Sequence, residues 1–136
     1  MKQIQSLFEA LADENRLRIV NLLIASPVLC VADLQRVLDM PQTRVSRHLG
    51  YLKNRGLVSS DRKGTWMYYS LSEKIKRDKH LIASLRSMFS KSESALQDIE
   101  LLLEGLDDNS IAALREAKPE TVEFVIENCC NLGETV

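Results

Sequence analysis

The first forty residues carry apolar side chains three and four positions apart, which is the period of a helix packed on one face. Helix-ending signals separate three such stripes: Asp13 can cap a second helix, Pro27 follows its end, and Asp39-Met40-Pro41 follows the third helix. The stripes are Ile4, Leu7, Phe8 and Leu11, then Leu17, Val20, Leu23 and Ile24, then Val31, Leu34, Val37 and Leu38. The sequence therefore predicts three helices, the third being short.

A fourth helix is predicted to begin near Pro41 and to end at Gly56. Val45, Leu49 and Leu52 give it one buried face, proline is tolerated in a first helical turn, and glycine is a common stop. After Gly56 the pattern changes to two runs of β-forming residues, 57–61 and 65–71, with Arg62-Lys63-Gly64 between them. We expect a two-stranded hairpin with a basic tip.

From Ser72 the helical period returns, as one long amphipathic helix or two in succession. Its apolar positions are Ile75, Ile82, Leu85, Phe89, Leu96, Ile99, Leu103 and Leu106. Residues 107–110 and Pro119-Glu120 look like starts of further short helices. The chain is therefore predicted to be mostly α, with a unit over residues 1–106 and an acidic helical extension over 107–136. The first helix and the helix after Ser72 have more apolar positions than one small core can cover, so we expect them to form a homodimer interface.

Charge is distributed unevenly along the 136 residues, although the net charge is only −1. Residues 36–63 hold seven Lys or Arg against two acids, whereas residues 92–136 hold eleven acids against two bases. This asymmetry predicts a basic face for nucleic-acid phosphates and an acidic tail kept away from it. A solvated charged surface is the alternative explanation.

The outward side of the fourth helix is polar where a helix would enter a DNA major groove. Side chains in its first turns can donate to base edges, and cations further along and at the hairpin can neutralise phosphates. The candidate DNA-binding residues are Gln42, Thr43, Arg44, Ser46, Arg47, His48, Lys53, Arg55, Arg62 and Lys63. A lone histidine in such a helix is more often a packing or hydrogen-bonding residue than a metal ligand.

Two segments, LADENRLRIVNLL and LCVADLQRVLDMPQTRVSRHLGYLKNRGLVSSDRKGTWMYYSL, resemble the core of the ArsR/SmtB winged-helix repressors. The resemblance covers about residues 4–72 and includes Val45-Ser46-Arg47-His48-Leu49 and the Arg62-Lys63-Gly64 wing. It implies a winged helix-turn-helix with a long C-terminal dimerisation helix and a short helical tail. It also implies a dimer that binds an inverted repeat in operator DNA and represses until an inducer binds.

Three cysteines, Cys30, Cys129 and Cys130, are an odd number without a disulfide spacing, so we expect thiolate chemistry instead. Arsenic-responsive relatives often carry Cys-Val-Cys at the start of the third helix, but this chain has Cys30-Val31-Ala32. We hypothesise that Cys129 and Cys130 bind trivalent arsenic or a methylated arsenical, with Cys30 as a third ligand whose thiolate a helix N-terminus would favour. No obligatory cofactor is expected.

Other functions are compatible with parts of the same sequence pattern. A thiol-based redox or sulfur sensor and a zinc or cadmium sensor keep the same fold, and a winged-helix protein-interaction module is a further alternative. Asp78 and His80 are spaced like half of a zinc site, but Lys91 and Ser94 stand where its other half would be. No phosphate loop or nucleophile motif is present, so an enzyme is not expected. The lack of an apolar run predicts no membrane association, and the N-terminus predicts a cytoplasmic protein.

Overall fold

The computed structural model describes residues 1–105, except for the side chains of Lys63 and Trp66. The elements of this part, in chain order, are α1 (Lys2–Leu11), α2 (Glu14–Ala25), β1 (Leu29–Cys30), α3 (Val31–Leu38), α4 (Gln42–Asn54), β2 (Val58–Lys63), β3 (Trp66–Leu71), α5 (Glu73–Arg77), α6 (Lys79–Ser90) and α7 (Glu93–Glu104). The predicted extension 107–136, with Cys129 and Cys130, lies outside the described residues.

The predicted helix boundaries in the first half of the chain are confirmed. The Asp13 carboxylate accepts a hydrogen bond from the backbone N–H of Arg16 at 3.0 Å and so caps α2. Asp39 ends α3 in the left-handed conformation, with φ 52°, and Pro41 opens α4 from extended backbone. This conformation at Asp39 reverses the chain within three residues, so α3 and α4 form a helix-turn-helix.

The turn of the hairpin is shorter than the sequence predicted, and a third strand joins the hairpin. Pairing of β2 with β3 extends to Lys63 opposite Trp66, so Gly64 and Thr65 alone form the turn. Gly64 has φ 63°, which a two-residue hairpin turn requires, and Arg62 and Lys63 therefore lie in a strand instead of the loop. The additional strand β1 pairs with β3 through Leu29 opposite Tyr69, which gives an antiparallel sheet of order β1-β3-β2.

The region after Ser72 is divided into three helices. The side chain of Asp78 accepts a hydrogen bond from the backbone of Leu81, and that of Ser92 accepts one from Ala95. Each therefore caps a new helix start, which interrupts the apolar period that suggested one long helix. Of the two predicted possibilities, two helices in succession is nearer to the structure, with the short α5 before them.

The core lies where α2, α3, α4 and the sheet meet, and α7 closes it. On α7, Ile99 is 7% exposed and Leu102 is 1% exposed, so this helix buries its apolar side within the protomer. The largest fully buried side chains are Ile19, Leu22, Leu29, Leu34, Leu49, Leu52 and Leu102. Assigning the whole C-terminal helical region to a dimer interface was therefore too broad. Within residues 1–105, no helix has the length and hydropathy to cross a bilayer.

Candidate nucleic-acid interface

Helix α4 has one buried face and one free face, as its sequence pattern predicted. Val45, Leu49 and Leu52 are each fully buried. The exposed side chains at its beginning are Gln42, Thr43, Arg44, Ser46 and Arg47. The free face thus combines two guanidinium groups with hydroxyl and amide groups, the types that read base edges and bind phosphate.

The N-terminus of α4 is open to an anion. Pro41 has no side chain that can accept from the first turn, and that turn contains no acidic residue. The N–H groups at the start of a helix have no partner within the helix and carry partial positive charge. A phosphate placed there would meet these N–H groups together with Arg44.

Beyond the first turns, Gly50 leaves space on α4. A side chain built at Gly50 would meet nothing within 4 Å. Lys53 lies further along, and its Nζ donates to Ser60 Oγ of β2 at 2.6 Å. Lys53 therefore ties the helix to the hairpin while its side chain remains exposed.

Two of the predicted DNA-binding side chains face other parts of the protein. His48 has 15% of its side chain exposed, and its Nδ1 lies 4.0 Å from the Asp13 carboxylate, so it packs towards the start of α2. Arg55 lies beside Glu9, with Nη2 3.4 Å from Oε2, and its guanidinium is 4.1 Å from the Tyr51 ring centroid. Arg55 is therefore not a free cation in this structure, because its charge already has a carboxylate and a ring as partners.

At the hairpin, Arg62 is exposed near the end of β2, and Lys63 follows it at the turn. Arg36, another cation of the basic segment, is engaged elsewhere. Its guanidinium donates to the carbonyls of Leu101 and Leu102 at the end of α7. A cation at a helix C-terminus stabilises it, so Arg36 joins α3 to α7 and is not available to DNA.

Cys30 stands at the N-cap of α3, half-buried, and its thiol donates to the Asp33 carboxylate with Sγ 3.1 Å from Oδ2. Burial is the largest cause that raises the pKa of the Cys30 thiol. Backbone hydrogen bonds from Asp33 and Ala32 at the helix N-terminus lower the pKa, and the side-chain hydrogen bond and charge of Asp33 raise it again, so that the net shift is upward. The expectation that the helix N-terminus favours a thiolate here was therefore wrong, because loss of solvation and a neighbouring carboxylate prevail.

No group of three or more His, Cys, Asp or Glu side chains among residues 1–105 could hold a metal ion. Asp78, half of the weak zinc pattern, uses its carboxylate to cap α6. Of the three predicted thiol ligands, the described part of the chain contains Cys30 alone.

Large apolar side chains are exposed on α1 and on α6. Ile4 is 54% exposed, Phe8 67% and Met88 59%. Ile4 and Phe8 are one helical turn apart and so lie on the same side of α1. The predicted contribution of the first helix to an interface agrees with this exposure.

Residues 13–60 match the family described as "Bacterial regulatory protein, arsR family". The chain is 48% identical over 69 residues to the arsenical resistance operon repressor of Escherichia coli K12, covering 51% of this chain and 59% of that protein. It is 31% identical over 104 residues to the arsenic resistance transcriptional regulator ArsR2 of Pseudomonas putida, covering 76% and 89%. It is also 39% identical over 66 residues to the cadmium resistance regulatory protein CadC of Listeria innocua, covering 48% and 56%. The chain therefore spans less than two thirds of the length of some of these relatives.

Solved structures show the same fold. HlyU from Vibrio cholerae aligns with a TM-score of 0.55 and 28% identity, covering 64% of this chain and 88% of that one. A homodimeric winged helix-turn-helix DNA-binding domain from Mycobacterium bovis aligns with a TM-score of 0.54 and 28% identity, covering 64% and 75%. The fold is a winged helix-turn-helix, and the family consists of transcriptional regulators instead of enzymes, as the sequence predicted. The chain belongs to the ArsR family of bacterial regulatory proteins.

Proposed function

We propose that this chain is a homodimeric transcriptional repressor of the cytoplasm that binds double-stranded operator DNA and is released by a thiol-binding inducer. The observation that carries the proposal is the free face of α4, where Thr43, Arg44, Ser46 and Arg47 are exposed along the first two turns after an uncapped helix N-terminus. In winged helix-turn-helix proteins this helix lies in the major groove.

The two arginines have different parts in this arrangement. Arg47 lies one turn into α4, where a guanidinium can donate two hydrogen bonds to a guanine edge. Arg44, beside the uncapped N–H groups, is suited to the phosphate that fixes the helix in register. Arg62 and Lys63 would contact the backbone or the adjacent groove next to the wing.

A second copy of the chain is proposed to cover the exposed apolar side chains of α1 and of α6. Exposed Phe8 and Met88 side chains are more stable when a partner covers them. Two recognition helices related by a two-fold axis would then meet two half-sites about one turn of DNA apart. The unit over 1–106 would perform these tasks, and the extension over 107–136 would carry inducer ligands.

The proposed inducer is trivalent arsenic, bound by Cys129 and Cys130 with Cys30 as third ligand. Two of the relatives compared above are named for arsenic resistance. Arsenous acid condenses with three thiols to give one As(SR)₃ group and three waters, each thiol supplying the proton that leaves with a hydroxide. Because this condensation releases no net proton, the raised pKa of the Cys30 thiol does not oppose its equilibrium.

A soft divalent cation such as cadmium is the second candidate, since one relative is named for cadmium resistance. Such an ion must displace the thiol proton, so its affinity would rise with pH. The raised pKa of the Cys30 thiol would strengthen that dependence. Release by arsenite would depend on pH far less, and the comparison separates the two inducers.

A gel shift with the DNA upstream of the chain's own gene tests DNA binding, using the reduced protein. Arg47→Ala should weaken specific binding by about 1–3 kcal/mol. Lys91→Ala, an exposed cation at the far end of α6, is the matched control and should bind as the parent does. Equal affinity of the parent for operator and unrelated DNA would contradict the proposal.

Arsenite added to the same complex tests the inducer. The Cys129→Ser/Cys130→Ser variant should bind DNA as the parent does but stay bound in arsenite, and Cys30→Ser tests the third ligand. If the double variant leaves DNA at the parent's arsenite concentration, the thiol site is elsewhere. Release of the parent by oxidant or persulfide alone would then favour the redox or sulfur sensor.

A further inference from the structure

Tyr51 on α4 has a guanidinium on each side of its ring. The Cζ atoms of Arg16 and Arg55 each lie 4.1 Å from the ring centroid. Two guanidinium groups cannot both occupy that distance above one face, so they lie on opposite faces. Each interaction is favourable because the face of an aromatic ring carries partial negative charge.

Both arginines also contact α1. Arg16 donates from Nε to the Ala10 carbonyl at 2.8 Å and from Nη2 to the Glu9 carbonyl at 3.1 Å, near the last turn of α1. Arg55 contacts the Glu9 carboxylate at 3.4 Å. Glu9, Arg16, Tyr51 and Arg55, named here the Tyr51 cluster, thus connect α1 and α2 to the second half of α4.

The position of Arg55 in the cluster includes one energetically unfavourable feature. The Nε atom of Arg55 is buried without a hydrogen-bond partner, although only part of the side chain is covered. An unpaired buried donor is unfavourable, so the ring and the carboxylate must compensate for it. A free surface cation would avoid this penalty, which argues that the position of Arg55 relative to Tyr51 and Glu9 is specific.

Because Tyr51 lies far from the first turn of α4, a small change of angle at Tyr51 displaces the residues proposed to contact DNA. Gln42, the first residue of α4, precedes Tyr51 by nine residues, or about 13.5 Å at about 1.5 Å per residue. A tilt of about 5° at Tyr51 would therefore move the first turn by about 1 Å, since the helix is a stiff rod. Hydrogen bonds to bases tolerate only a few tenths of an ångström.

We propose that Tyr51 is a positioning residue that fixes the angle between α1 and α4, and so the half-site spacing that a dimer accepts. The inference rests on the proposed function, because α1 carries the apolar surface assigned to the second copy. Glu9 directly follows Phe8 of that surface, so the cluster spans the short path from interface to reading helix. Tyr51 itself need not touch DNA.

The experiment measures operator affinity as a function of spacing between half-sites. The chain's own operator is prepared at its natural spacing and with one base pair added or removed at its centre. The parent should bind the altered DNAs at least about tenfold more weakly, because one base pair shifts and rotates a half-site. Selectivity for the operator over unrelated DNA is established first, so failure of the proposed function is recognised separately.

Tyr51→Leu should bind the natural spacing about fivefold more weakly and discriminate among the three spacings by less than about threefold. Tyr51→Phe keeps the ring between the guanidinium groups and should restore the parent's spacing profile. Glu9→Gln changes an exposed residue and is therefore expected to fold. It should reduce, but not abolish, the difference in affinity among the three spacings. The proposal would be overturned if Tyr51→Leu and Glu9→Gln weakened binding to all three DNAs by the same factor, so that each variant kept the parent's preference for the natural spacing.

Glu73→Gln is the matched control for Glu9→Gln. It removes the carboxylate of an exposed ion pair with Lys76, 3.8 Å long, on the short helix α5. Its spacing profile should equal the parent's. A flattened profile in this control would show that loss of any surface ion pair produces the effect, and the role assigned to Tyr51 would be withdrawn.

Discussion

The carboxylate of Asp98 on α7 accepts two hydrogen bonds from the guanidinium of Arg18 on α2, at 2.8 Å from Nε and 3.0 Å from Nη2. Asp98 is only 5% exposed, and the hydrogen bond to it is the largest cause that raises the pKa of Arg18. Nearby, the Asn21 amide donates to the Ala95 carbonyl at 3.0 Å. These two contacts fix α7 across the back of the helix-turn-helix.

Removing the carboxylate with Asp98→Ala should therefore destabilise the fold by about 2–3 kcal/mol. This value is at the low end of the usual cost of breaking a buried ion pair, because Arg18 keeps some solvent access. Glu100→Ala, on the exposed side of the same helix, should change stability by less than about 0.5 kcal/mol. Urea unfolding of the two variants checks this. Equal midpoints would show that the pair contributes nothing net.

Two glycines should respond to alanine with opposite signs. A side chain at Gly105 would collide with the Arg36 guanidinium, which would have to leave the α7 carbonyls. The guanidinium is the far end of a flexible side chain and can move aside, so Gly105→Ala should cost no more than about 1 kcal/mol, through the loss of these hydrogen bonds. Gly50→Ala, inside α4 with open space around it, should stabilise by about 0.5–1 kcal/mol because glycine is a poor helix former. Denaturant unfolding gives both values, and a common sign would contradict the contact at Gly105.

Asp33 should suppress the reactivity of Cys30. Its charge and its side-chain hydrogen bond both raise the pKa of the thiol, in addition to burial. Asp33→Asn should therefore lower that pKa and speed alkylation by iodoacetamide several-fold near pH 8, since the thiolate is the nucleophile. The comparison is made in the Cys129→Ser/Cys130→Ser background, where Cys30 is the one thiol left. An unchanged rate would mean that burial alone controls the thiol.

The raised pKa of the Cys30 thiol also predicts how the stability of the protein depends on pH. A group whose pKa is raised by folding contributes stability below its unfolded pKa and loses it as pH rises through the folded value. The free energy of unfolding of the Cys129→Ser/Cys130→Ser variant should therefore fall on the alkaline side as Cys30 ionises. Replacing Cys30 by Ala as well should remove this part of the pH dependence.

Phe8→Glu should convert the dimer to monomer. The substitution places a charge in the apolar surface of α1, and a charge buried without a partner is strongly unfavourable. Leu101→Glu is the matched control, because Leu101 is also an exposed apolar residue, at 45%, but lies on α7, to which the interface is not assigned. Sedimentation at micromolar concentration distinguishes the species. Monomeric Leu101→Glu with dimeric Phe8→Glu would reassign the interface to α7.

The salt dependence of operator binding should separate cations that contact phosphate from those held within the protein. Each phosphate contact contributes about −0.9 to the slope of log affinity against log salt. Arg62→Ala should make that slope shallower by about 1 for each protomer. Arg55→Met should leave the slope unchanged, because Arg55 already pairs with Glu9. Equal changes in both variants would place Arg55 on DNA.

Local patterns were sufficient to predict the elements that build the interface. Apolar spacing predicted α1 to α4, the Asp13 side chain predicted the start of α2, and two runs of β-forming residues predicted the hairpin. These features depend on residues within a few positions of one another. The free face of α4 followed for the same reason, since a buried stripe leaves the opposite side exposed.

Features that depend on distant partners could not be predicted in this way. Arg36 and Arg18 contact residues 65 and 80 positions away, so each looked like any other surface cation. The two-residue strand β1 exists only because β3 lies beside it. One signal was available and missed: Tyr51 and Arg55 are four apart on one helix, a spacing that brings side chains together.

The strand β1 gives Cys30 an unusual mechanical position. Cys30 pairs with Tyr68 in the middle strand of the sheet, and the next residue, Val31, begins α3. A displacement of residue 30 would therefore act on two elements at once: on β3, which pairs with β2 in the wing, and on α3, which packs against α4. The wing and α4 are thus both connected to residue 30. Covalent modification of the Cys30 thiol would therefore change the positions of both DNA-contacting elements together.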